Sequence, residues 1–397
     1  MSENERNEPL LIRADRVITP DGTIEPGAIL VSGHRIDAVS RHIEPPPGAD
    51  VIDLPGLTLV PGFIDVHVHG GGGFPLITSN PEEVRSYASW APSRGVTAFL
   101  ATIVSRTPAD AMPAIRAAAE VAGAPADGAE VLGLNLEGPF VSPGRRGALP
   151  ASWVTAPDAG AFRRLLESCA SRLRLMTVAP EITGALDLIK AATEAGVRVS
   201  LGHTDAGYDV ALQGFRTGAS HVTHAFNAMR PLHHRDPGVI GAALDSPGVT
   251  IEVIADGVHL HPATVRLLVT AFGPGRVALV TDAVTPAGLE TGVFRLGGEE
   301  ARLESGRVTL PDGTIAGSAA TMDSVVANVV CWGIATLAEA SQMASAVPAH
   351  VAGVAGRKGR LAPGYDADIV ALSDDFRVSA TWVRGRLAHG RPAGATG

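Results

Sequence analysis

The stretch Val60-Pro-Gly-Phe-Ile-Asp-Val-His-Val-His-Gly70 joins an apolar segment to two histidines and a run of glycines. Its pattern predicts a strand over 63–68 that ends at His67 and His69. Side chains two residues apart on a strand point to the same face, so these two imidazoles are placed to hold one metal ion. A single His-x-His pair is equally typical of two ordinary histidines, and only the later stretches decide between these interpretations.

Composition excludes several classes of protein. The 397 residues are 45% apolar, which suits a large barrel with an accessory domain. A net charge of −9 with dispersed acidic residues argues against nucleic acid or an anionic membrane as partner. No apolar run approaches the roughly 20 residues of a membrane-spanning helix, and the polar N-terminus lacks a signal-peptide pattern. Cys169 and Cys331 are too few for a disulfide framework, so we expect a cytoplasmic protein.

From Phe63 onward, apolar strands alternate with helical stretches, which is typical of a parallel α/β sheet. The predicted strands are 63–68, 97–102, 131–136, 174–178, 198–201, 221–223, 250–254 and 276–281. The predicted helices are 81–93, 108–121, 161–171, 185–195, 209–216 and 262–271, followed by 322–335 and 337–346. Eight β/α repeats predict a (β/α)8 TIM barrel, whose active site lies at the C-terminal ends of its strands.

Both ends of the chain are β-rich instead. Short strands broken by turns occupy 10–31 and 37–54, and the tail holds predicted strands at 369–372 and 379–383. These segments predict one small β-sandwich domain built from the N- and C-terminal parts of the chain. The expected boundaries are 1–59 (with 1–9 as a disordered tail), 60–362 for the barrel and 363–397 for the second part of the sandwich.

Titratable side chains follow the predicted strands at the ends where this fold places its chemistry. They are His67 and His69 after the first strand, Glu137 after the third, His203 after the fifth, His224 after the sixth, His259 after the seventh and Asp282 after the eighth. Such groups at six separate strand ends indicate one site rather than solvated loop residues. Histidine and glutamate side chains are suitable ligands for Zn²⁺ or a similar divalent ion.

These ligands can form a catalytic metal site. Glu137, His203 and His224 give the three-ligand, open-position arrangement of a catalytic zinc. Asp282 is placed to contact a metal-bound water and to carry its proton. The sequence therefore predicts metal-assisted hydrolysis.

A second ion has candidate ligands in His67 and His69, with Glu137 as the bridge between the two ions. Barrels of this type often use a carboxylated lysine as that bridge. Neither lysine of this chain lies at a predicted strand end, since Lys190 falls in a helix and Lys358 in the C-terminal segment. The bridging carboxylate is therefore expected from Glu137.

Together these stretches resemble the amidohydrolase superfamily, and within it the N-acetylglucosamine-6-phosphate deacetylases. The matching segments run in the family's order and are 61–69, 136–140, 179–181, 202–204, 223–229, 235–238, 254–259, 280–283 and 316–318. The tail at 359–370 resembles the superfamily's return to its β domain, which is specific only to the superfamily.

The resemblance implies an enzyme activity. It implies hydrolysis of the acetamide of N-acetyl-D-glucosamine 6-phosphate to D-glucosamine 6-phosphate and acetate, by a metal-activated water with Asp282 as acid and base. It implies one or two divalent ions per subunit, Zn²⁺ foremost, with Fe²⁺, Mn²⁺, Co²⁺ or Cd²⁺ as alternatives. The partners it implies are an amino-sugar phosphate and a second copy of the chain in a homodimer.

The resemblance also implies a set of substrate contacts. These are Ala148, Asn227, Ala228, Arg235, His259, Ile315, Ala316 and Gly317. The loop 231–235 resembles the family's phosphate-binding loop, in which His233 and His234 are candidate contacts from the partner subunit of a dimer. Arginine suits phosphate because its planar guanidinium donates two hydrogen bonds at once.

Two positions differ among members of this family. Some members have Gln-x-Asn where this chain has His67 and His69, and keep one metal, so this chain resembles the two-metal type. Many members have a histidine after the Gly-Ala that matches 147–148, where it polarises the substrate carbonyl. Here that residue is Leu149, and a second ion is the candidate to replace it as a Lewis acid.

Other functions stay open at this point. One is deacetylation of N-acetylgalactosamine 6-phosphate, which differs at a single sugar hydroxyl. Another is a different amidohydrolase substrate such as a cyclic amide. A third is a non-catalytic binding protein on the same barrel, but such a protein would be expected to lose metal ligands that this chain retains.

Overall fold

The computed structural model describes residues 8–104, 108–122, 128–155, 157, 160, 162, 166, 172–296 and 299–390. The expected disordered tail at 1–9 lies outside these residues except for its last two positions. Most of the helix expected at 161–171 also lies outside them. Over the described residues, no helix is both long and apolar enough to cross a bilayer.

The chain begins with five strands that form most of one mixed sheet. They are β1 (Leu10–Thr19), β2 (Gly22–Ile24), β3 (Gly27–Ser32), β4 (Arg35–Ser40) and β5 (Asp50–Pro61). Strand β1 pairs in parallel with β5 and antiparallel with β2 and β3. One face of this sheet is apolar, because alternate residues such as Leu10, Ile12 and Ile29 are buried in one cluster.

The barrel follows as eight parallel strands in sequence order. Its strands are β6 (Phe63–Val68), β9 (Val96–Ile103), β10 (Glu130–Glu137), β11 (Leu173–Val178), β12 (Arg198–Leu201), β13 (His221–Val222), β14 (Thr250–Val253) and β15 (Val277–Leu279). A parallel bridge between Val68 and Ala283 brings the segment after β15 next to β6. The two-residue strands β7 (Gly70–Gly71) and β8 (Phe74–Pro75) form a turn after β6. This ring confirms the predicted TIM barrel.

Helices surround the ring. They are α1 (Pro81–Trp90), α2 (Pro108–Val121), α3 (Ala185–Glu194), α4 (Tyr208–Thr217), α5 (Gly238–Leu244), α6 (Pro262–Phe272), α7 (Met322–Cys331), α8 (Leu337–Ala344) and α9 (Ala346–Val351). Asn80 begins α1 by accepting a hydrogen bond from the Glu82 amide at 3.1 Å. Helix α5 was not predicted, because its buried residues have no polar face that would give a helical pattern.

Helix α9 closes the end of the barrel opposite the catalytic face. Ala349, Val351 and Ala352 pack in one cluster with residues that point into the barrel, among them Ile64 and Leu100. The described residues therefore fill the barrel interior at this end and leave the C-terminal ends of the strands as the open end.

A largely buried group of charged side chains lies at this same end of the barrel, which we call the lower end. Lys358 is 1% exposed, and its Nζ lies 3.0 Å from Glu130, 3.1 Å from Asp366 and 2.6 Å from Asp368. Arg357 contacts Glu130 and Asp366. We call these five residues the basal ion cluster. It joins the start of β10 to the chain that leads into the C-terminal strands.

A four-stranded antiparallel sheet is inserted after β15. Its strands are β16 (Gly292–Leu296), β17 (Glu299–Glu304), β18 (Arg307–Thr309) and β19 (Ile315–Ser318). We call it the insert sheet. The Ser318 amide donates to the Asp282 carbonyl at 2.8 Å, and the Val284 amide donates to the Ser318 carbonyl at 3.1 Å. The insert sheet is therefore anchored to the barrel at Asp282. The sequence analysis did not predict it.

The last strands return to the first sheet. They are β20 (Ile369–Leu372), β21 (Val378–Val383) and β22 (Arg386–Gly390). Strand β20 pairs antiparallel with β5, so both ends of the chain share one sheet. The single β domain built from both ends of the chain was predicted.

Candidate active site

Glu137, at the end of β10, lies between two pairs of histidines. Its Oε1 is 2.9 Å from His203 Nε2 and 3.1 Å from His224 Nε2. Its Oε2 is 3.5 Å from His67 Nε2 and 3.2 Å from His69 Nε2. The two oxygens of one carboxylate thus face different histidine pairs.

Asp282 completes the group next to the first pair. Its Oδ1 lies 3.6 Å from His67 Nε2 and 3.3 Å from His69 Nε2. The side chains form two buried clusters that could each hold an ion, one of His67, His69 and Asp282 and one of Glu137, His203 and His224. The structure therefore brings together the five side chains that the sequence marked as metal ligands and Asp282, which the sequence marked as the acid and base. We call them the metal centre.

The hydrogen bonds behind the metal centre fit a bound cation. His67 Nδ1 donates to Glu252 at 2.8 Å, and His203 Nδ1 donates to the Arg145 carbonyl at 3.0 Å. Since both partners are acceptors, each ring presents Nε2 to the carboxylates. His67 Nε2 is buried without a hydrogen-bond partner. A nitrogen lone pair that faces carboxylate oxygens is repelled unless a proton or a metal ion lies between them.

The spacing fits a metal ion as well. The contacts between Nε2 and carboxylate oxygen atoms in the metal centre range from 2.9 to 3.6 Å. Ligands of a tetrahedral zinc ion with bonds of about 2.0–2.1 Å lie about 3.3 Å apart. The residues present therefore suit one or two divalent ions.

The charges of the metal centre shift one another's pKa. Burial alone would lower the pKa of His69, but Asp282 and Glu137 raise it to about 9. Burial alone would raise the pKa of Glu137, but the neighbouring histidines hold it well below its usual value. These carboxylates are therefore ionised at neutral pH, and a metal ion competes with protons for the imidazoles.

Three residues of the metal centre have a strained backbone. The φ angles of His203, His224 and Asp282 are 47°, 26° and 49°. Such angles cost of order 1–3 kcal/mol each for residues other than glycine, and they persist only where the surroundings enforce them. The His224 amide donates to Glu252 at 2.9 Å, and the Asp282 amide donates to the His67 carbonyl at 2.9 Å.

Several buried acids behind the ligands were missed by the sequence analysis. Glu252 on β14 contacts His67, and Asp65 on β6 accepts from Thr281 Oγ1 at 2.6 Å. Burial raises the pKa of Asp65 to about 7, although its hydrogen bonds oppose this shift. The available signal was an acidic residue in the middle of an otherwise apolar barrel strand, because such a residue must have a buried partner.

A cavity of about 590 Å³ opens above the metal centre. Seven of the predicted substrate contacts line it: Ala148, Asn227, Ala228, His259, Ile315, Ala316 and Gly317. Leu149 lines it too, so the position at which many members of the family have a histidine is apolar here. The cavity wall also includes Trp153, Thr285 and Arg295, which the sequence analysis did not mark.

The predicted phosphate loop lies elsewhere. Arg235, His233 and His234 are exposed and do not line the cavity of their own chain. The Arg235 guanidinium instead donates to His234 Nε2 at 2.7 Å. His259 does line the cavity. Burial opposes a charge on His259, but its hydrogen bond of 2.7 Å to Asp256 raises its pKa.

Comparison with known proteins assigns this arrangement to a class. Residues 58–388 match the amidohydrolase family, and the chain belongs to that family. The family is metal-dependent, in agreement with the two clusters of His, Asp and Glu side chains at the metal centre.

Its relatives within the family are deacetylases. The N-acetylglucosamine-6-phosphate deacetylase of Bacillus subtilis (strain 168) is 35% identical over 96% of this chain and 97% of the relative. The N-acetylgalactosamine-6-phosphate deacetylase of Escherichia coli O157:H7 is 35% identical over 95% and 99%. A mutant of the Mycobacterium smegmatis N-acetyl-D-glucosamine-6-phosphate deacetylase, solved in complex with N-acetyl-D-glucosamine-6-phosphate, has a TM-score of 0.91. It is 34% identical and covers 96% of this chain and 99% of that one.

Proposed function

We propose that this protein hydrolyses the acetamide of N-acetyl-D-glucosamine 6-phosphate to D-glucosamine 6-phosphate and acetate. The observation that carries the proposal is the position of Glu137 and Asp282 among four histidines at the floor of the cavity. The similarity to deacetylases over nearly the whole chain supports it.

The chain's own residues account for the proton transfers. A divalent ion held by the metal centre would supply a Lewis acid and a more acidic water. Burial alone would raise the pKa of Asp282, but His67 and His69 lower it, so its carboxylate is ionised and can accept a proton. As water attacks the acetyl carbon, Asp282 takes a proton from it. Asp282 then donates this proton to the sugar nitrogen as the C–N bond breaks, and acetate is released.

We propose Zn²⁺ at both positions of the metal centre, with Glu137 as the bridge. Imidazole and carboxylate ligands in groups of three are typical of zinc sites with an open position.

The low cysteine content of the chain supports a cytoplasmic location.

We propose that the substrate phosphate is bound by residues of two chains in a homodimer. His259 lines the cavity and carries a raised pKa, which favours its cationic form. Arg235 is exposed and does not line the cavity of its own chain, which supports a contact with the phosphate in a partner's cavity. Arg295, on the insert sheet, is a cation at the cavity of its own chain.

N-acetyl-D-galactosamine 6-phosphate is the second candidate substrate. The Escherichia coli O157:H7 relative that is named for this sugar is as similar to the chain as the Bacillus subtilis relative named for the other epimer. The two sugars differ at one hydroxyl, which a cavity of this size can admit in either orientation.

The experiment is acetate release from both sugar phosphates by purified protein whose metal content is measured alongside. We expect turnover that requires bound metal, with kcat/KM higher for the glucosamine derivative. Higher kcat/KM for the galactosamine derivative would select the second candidate. No acetate from either sugar by fully metal-loaded protein would reject the proposed function.

A further inference from the structure

Glu252 lies in the middle of β14 and is fully buried. Its Oε2 accepts hydrogen bonds from His67 Nδ1 at 2.8 Å and from the His224 amide at 2.9 Å. Its Oε1 lies 3.2 Å from His221 Nε2. One carboxylate thus contacts a histidine from each of the two clusters of the metal centre.

We propose that Glu252 is the positioning residue of the metal centre, because it orients His67 and fixes the backbone at His224. This inference rests on the proposed metal centre, but it does not depend on which substrate the enzyme hydrolyses. Glu252 does not reach the cavity, since it is absent from the residues that line it and has no exposed surface. It therefore acts through the ligands.

The contact with His67 decides which nitrogen faces the ion. Because a carboxylate only accepts, His67 must present Nδ1–H to Glu252, which leaves Nε2 pointed at Glu137 and Asp282. Without Glu252, a buried Nδ1–H would have no acceptor, and the ring could turn to satisfy it. A turned ring would remove Nε2 from the metal centre.

The contact with His224 acts on the backbone. His224 has a φ of 26°, which is unfavourable for a residue other than glycine. Its amide is a permanent donor, and in the structure that donor is satisfied by Glu252. Loss of this acceptor would leave a buried amide unpaired at a strained position, so the ring of His224 would lose its fixed place beside His203 and Glu137.

Glu130 is a partly buried glutamate on a barrel strand that is not adjacent to β14, and it makes ordinary ion pairs. It starts β10 at the other end of the barrel, and its partners are the cations Arg357 and Lys358. The partners of Glu252 are imidazoles and one amide, two of which belong to metal-centre residues. Glu130→Ala is therefore the control for the loss of a glutamate from a barrel strand away from the metal centre.

A glutamine at position 252 tests the geometry without removing the side chain. The His224 amide always donates, so the amide oxygen of the glutamine must take the place of Oε2. That oxygen would still accept from His67 Nδ1, while the NH₂ group would donate to His221 Nε2. Glu252→Gln should therefore keep the orientation of His67, whereas Glu252→Ala should not.

The experiment measures zinc affinity by competition with a chelator, for wild type, Glu252→Ala, Glu252→Gln and the control Glu130→Ala. We expect Glu252→Ala to lower affinity by about 10–100-fold, as for other partners of metal-binding histidines. Glu252→Gln should lose less than Glu252→Ala, and Glu130→Ala should keep wild-type affinity even if it unfolds at a lower temperature.

A second readout is the ring N–H proton of His67 in the zinc-loaded, ¹⁵N-histidine-labelled protein, assigned with a His67→Gln variant. We expect a slowly exchanging Nδ1–H signal in wild type and in Glu252→Gln. Its absence from wild type would overturn the inference, even if Glu252→Ala failed to fold. Wild-type zinc affinity in folded Glu252→Ala would also overturn it and leave the proposed function intact. Wild-type protein that binds no divalent ion would reject the metal centre itself.

Discussion

The barrel carries one buried group of charges at each end, and the two groups are built differently. In the basal ion cluster, the carboxylates of Glu130, Asp366 and Asp368 are paired with two cations of the same chain, Lys358 and Arg357. In the metal centre, the carboxylates face imidazole nitrogens, and His67 Nε2 has no hydrogen-bond partner among the described residues.

The difference separates stability from function. A cluster that holds its own cations is complete once the chain has folded, and this face of a TIM barrel usually serves stability. A cluster that aims lone pairs at carboxylates is completed only by a cation from outside. Lys358 therefore forms ion pairs in the basal ion cluster and does not lie among the candidate metal ligands at the other end of the barrel.

The largest effect on activity is expected for a substitution in the metal centre. Asp282→Asn should keep the fold and bind metal, but lose about 10²–10⁴-fold in kcat, because an amide cannot accept the proton of the attacking water. Turnover of the sugar phosphate is measured at saturating metal, with circular dichroism and metal content as controls. A folded, metal-loaded variant with near-normal kcat would remove Asp282 from the proton transfers.

The next effect concerns substrate binding above the metal centre. Arg235→Ala should lower kcat/KM for the phosphorylated sugar by roughly 10- to 150-fold, because a charge-assisted contact to phosphate contributes about 1.5–3 kcal/mol. Hydrolysis of the unphosphorylated sugar should barely change. The comparison of the two substrates is the measurement.

Arg295→Ala is the matched variant for that experiment, since Arg295 lines the cavity within one chain. A larger phosphate-specific loss in Arg295→Ala than in Arg235→Ala would assign the phosphate to the chain's own arginine. Equal losses by Arg235→Ala on both sugars would mean that Arg235 only supports its loop.

The third prediction tests how much the basal ion cluster stabilises the folded protein. Its cationic neighbours lower the pKa of Glu130 from 4.5 to about 2, although burial opposes the shift. A lowered pKa in the folded state stabilises the protein above pH 4.5, and this contribution is lost as pH falls towards 2. At about 1.36 kcal/mol per pKa unit, Glu130→Gln should cost about 3 kcal/mol at pH 7 and progressively less below pH 4.5.

Denaturant unfolding of wild type and Glu130→Gln across this pH range checks the prediction. Glu300→Gln, at an exposed position on β17, is the control and should change little. A cost for Glu130→Gln that stays constant from pH 7 to pH 3 would contradict the assigned role. Metal affinity should be unchanged in both variants.

The smallest expected change is in metal content. The double variant His67→Gln, His69→Asn should bind one ion per subunit in the cluster of Glu137, His203 and His224, where wild type should bind two. Metal analysis after equilibration with excess zinc gives both numbers. One ion in each protein would show that the cluster of His67, His69 and Asp282 does not hold an ion.

Much of the barrel could be predicted from the sequence, because parallel strands buried on both faces are continuous apolar runs. Strands 63–68 and 198–201 were placed to the residue. The insert sheet was missed because its strands contain many exposed residues. The Gly and Ser-Gly turns between these strands are typical of a loop. Helix α1 was predicted too long, because Pro92 lacks an amide donor and the chain continues past Trp90 as a 3₁₀ turn.

The candidate ligands of the metal centre were also predictable, since each lies at or just after the end of a strand and the fold gathers those ends. The residues behind them were not. Glu252 is paired with His67, which lies 185 positions away, and local sequence does not encode such a contact. The position of Arg235 relative to the cavity could not be predicted either. Arg235 lies in an exposed loop, and such a loop has no periodic pattern that indicates where its side chains point.

The anchoring of the insert sheet at Asp282 bears on how this enzyme can change over generations. The Ser318 amide donates to the Asp282 carbonyl at the root of the sheet, while Arg295 on β16 and Leu310 in the turn after β18 also border the cavity. Residues added, lost or exchanged at its distal turns would reshape the cavity wall and leave the root in register. The insert sheet therefore offers positions at which the cavity wall can change while the hydrogen bonds at Asp282 stay in place.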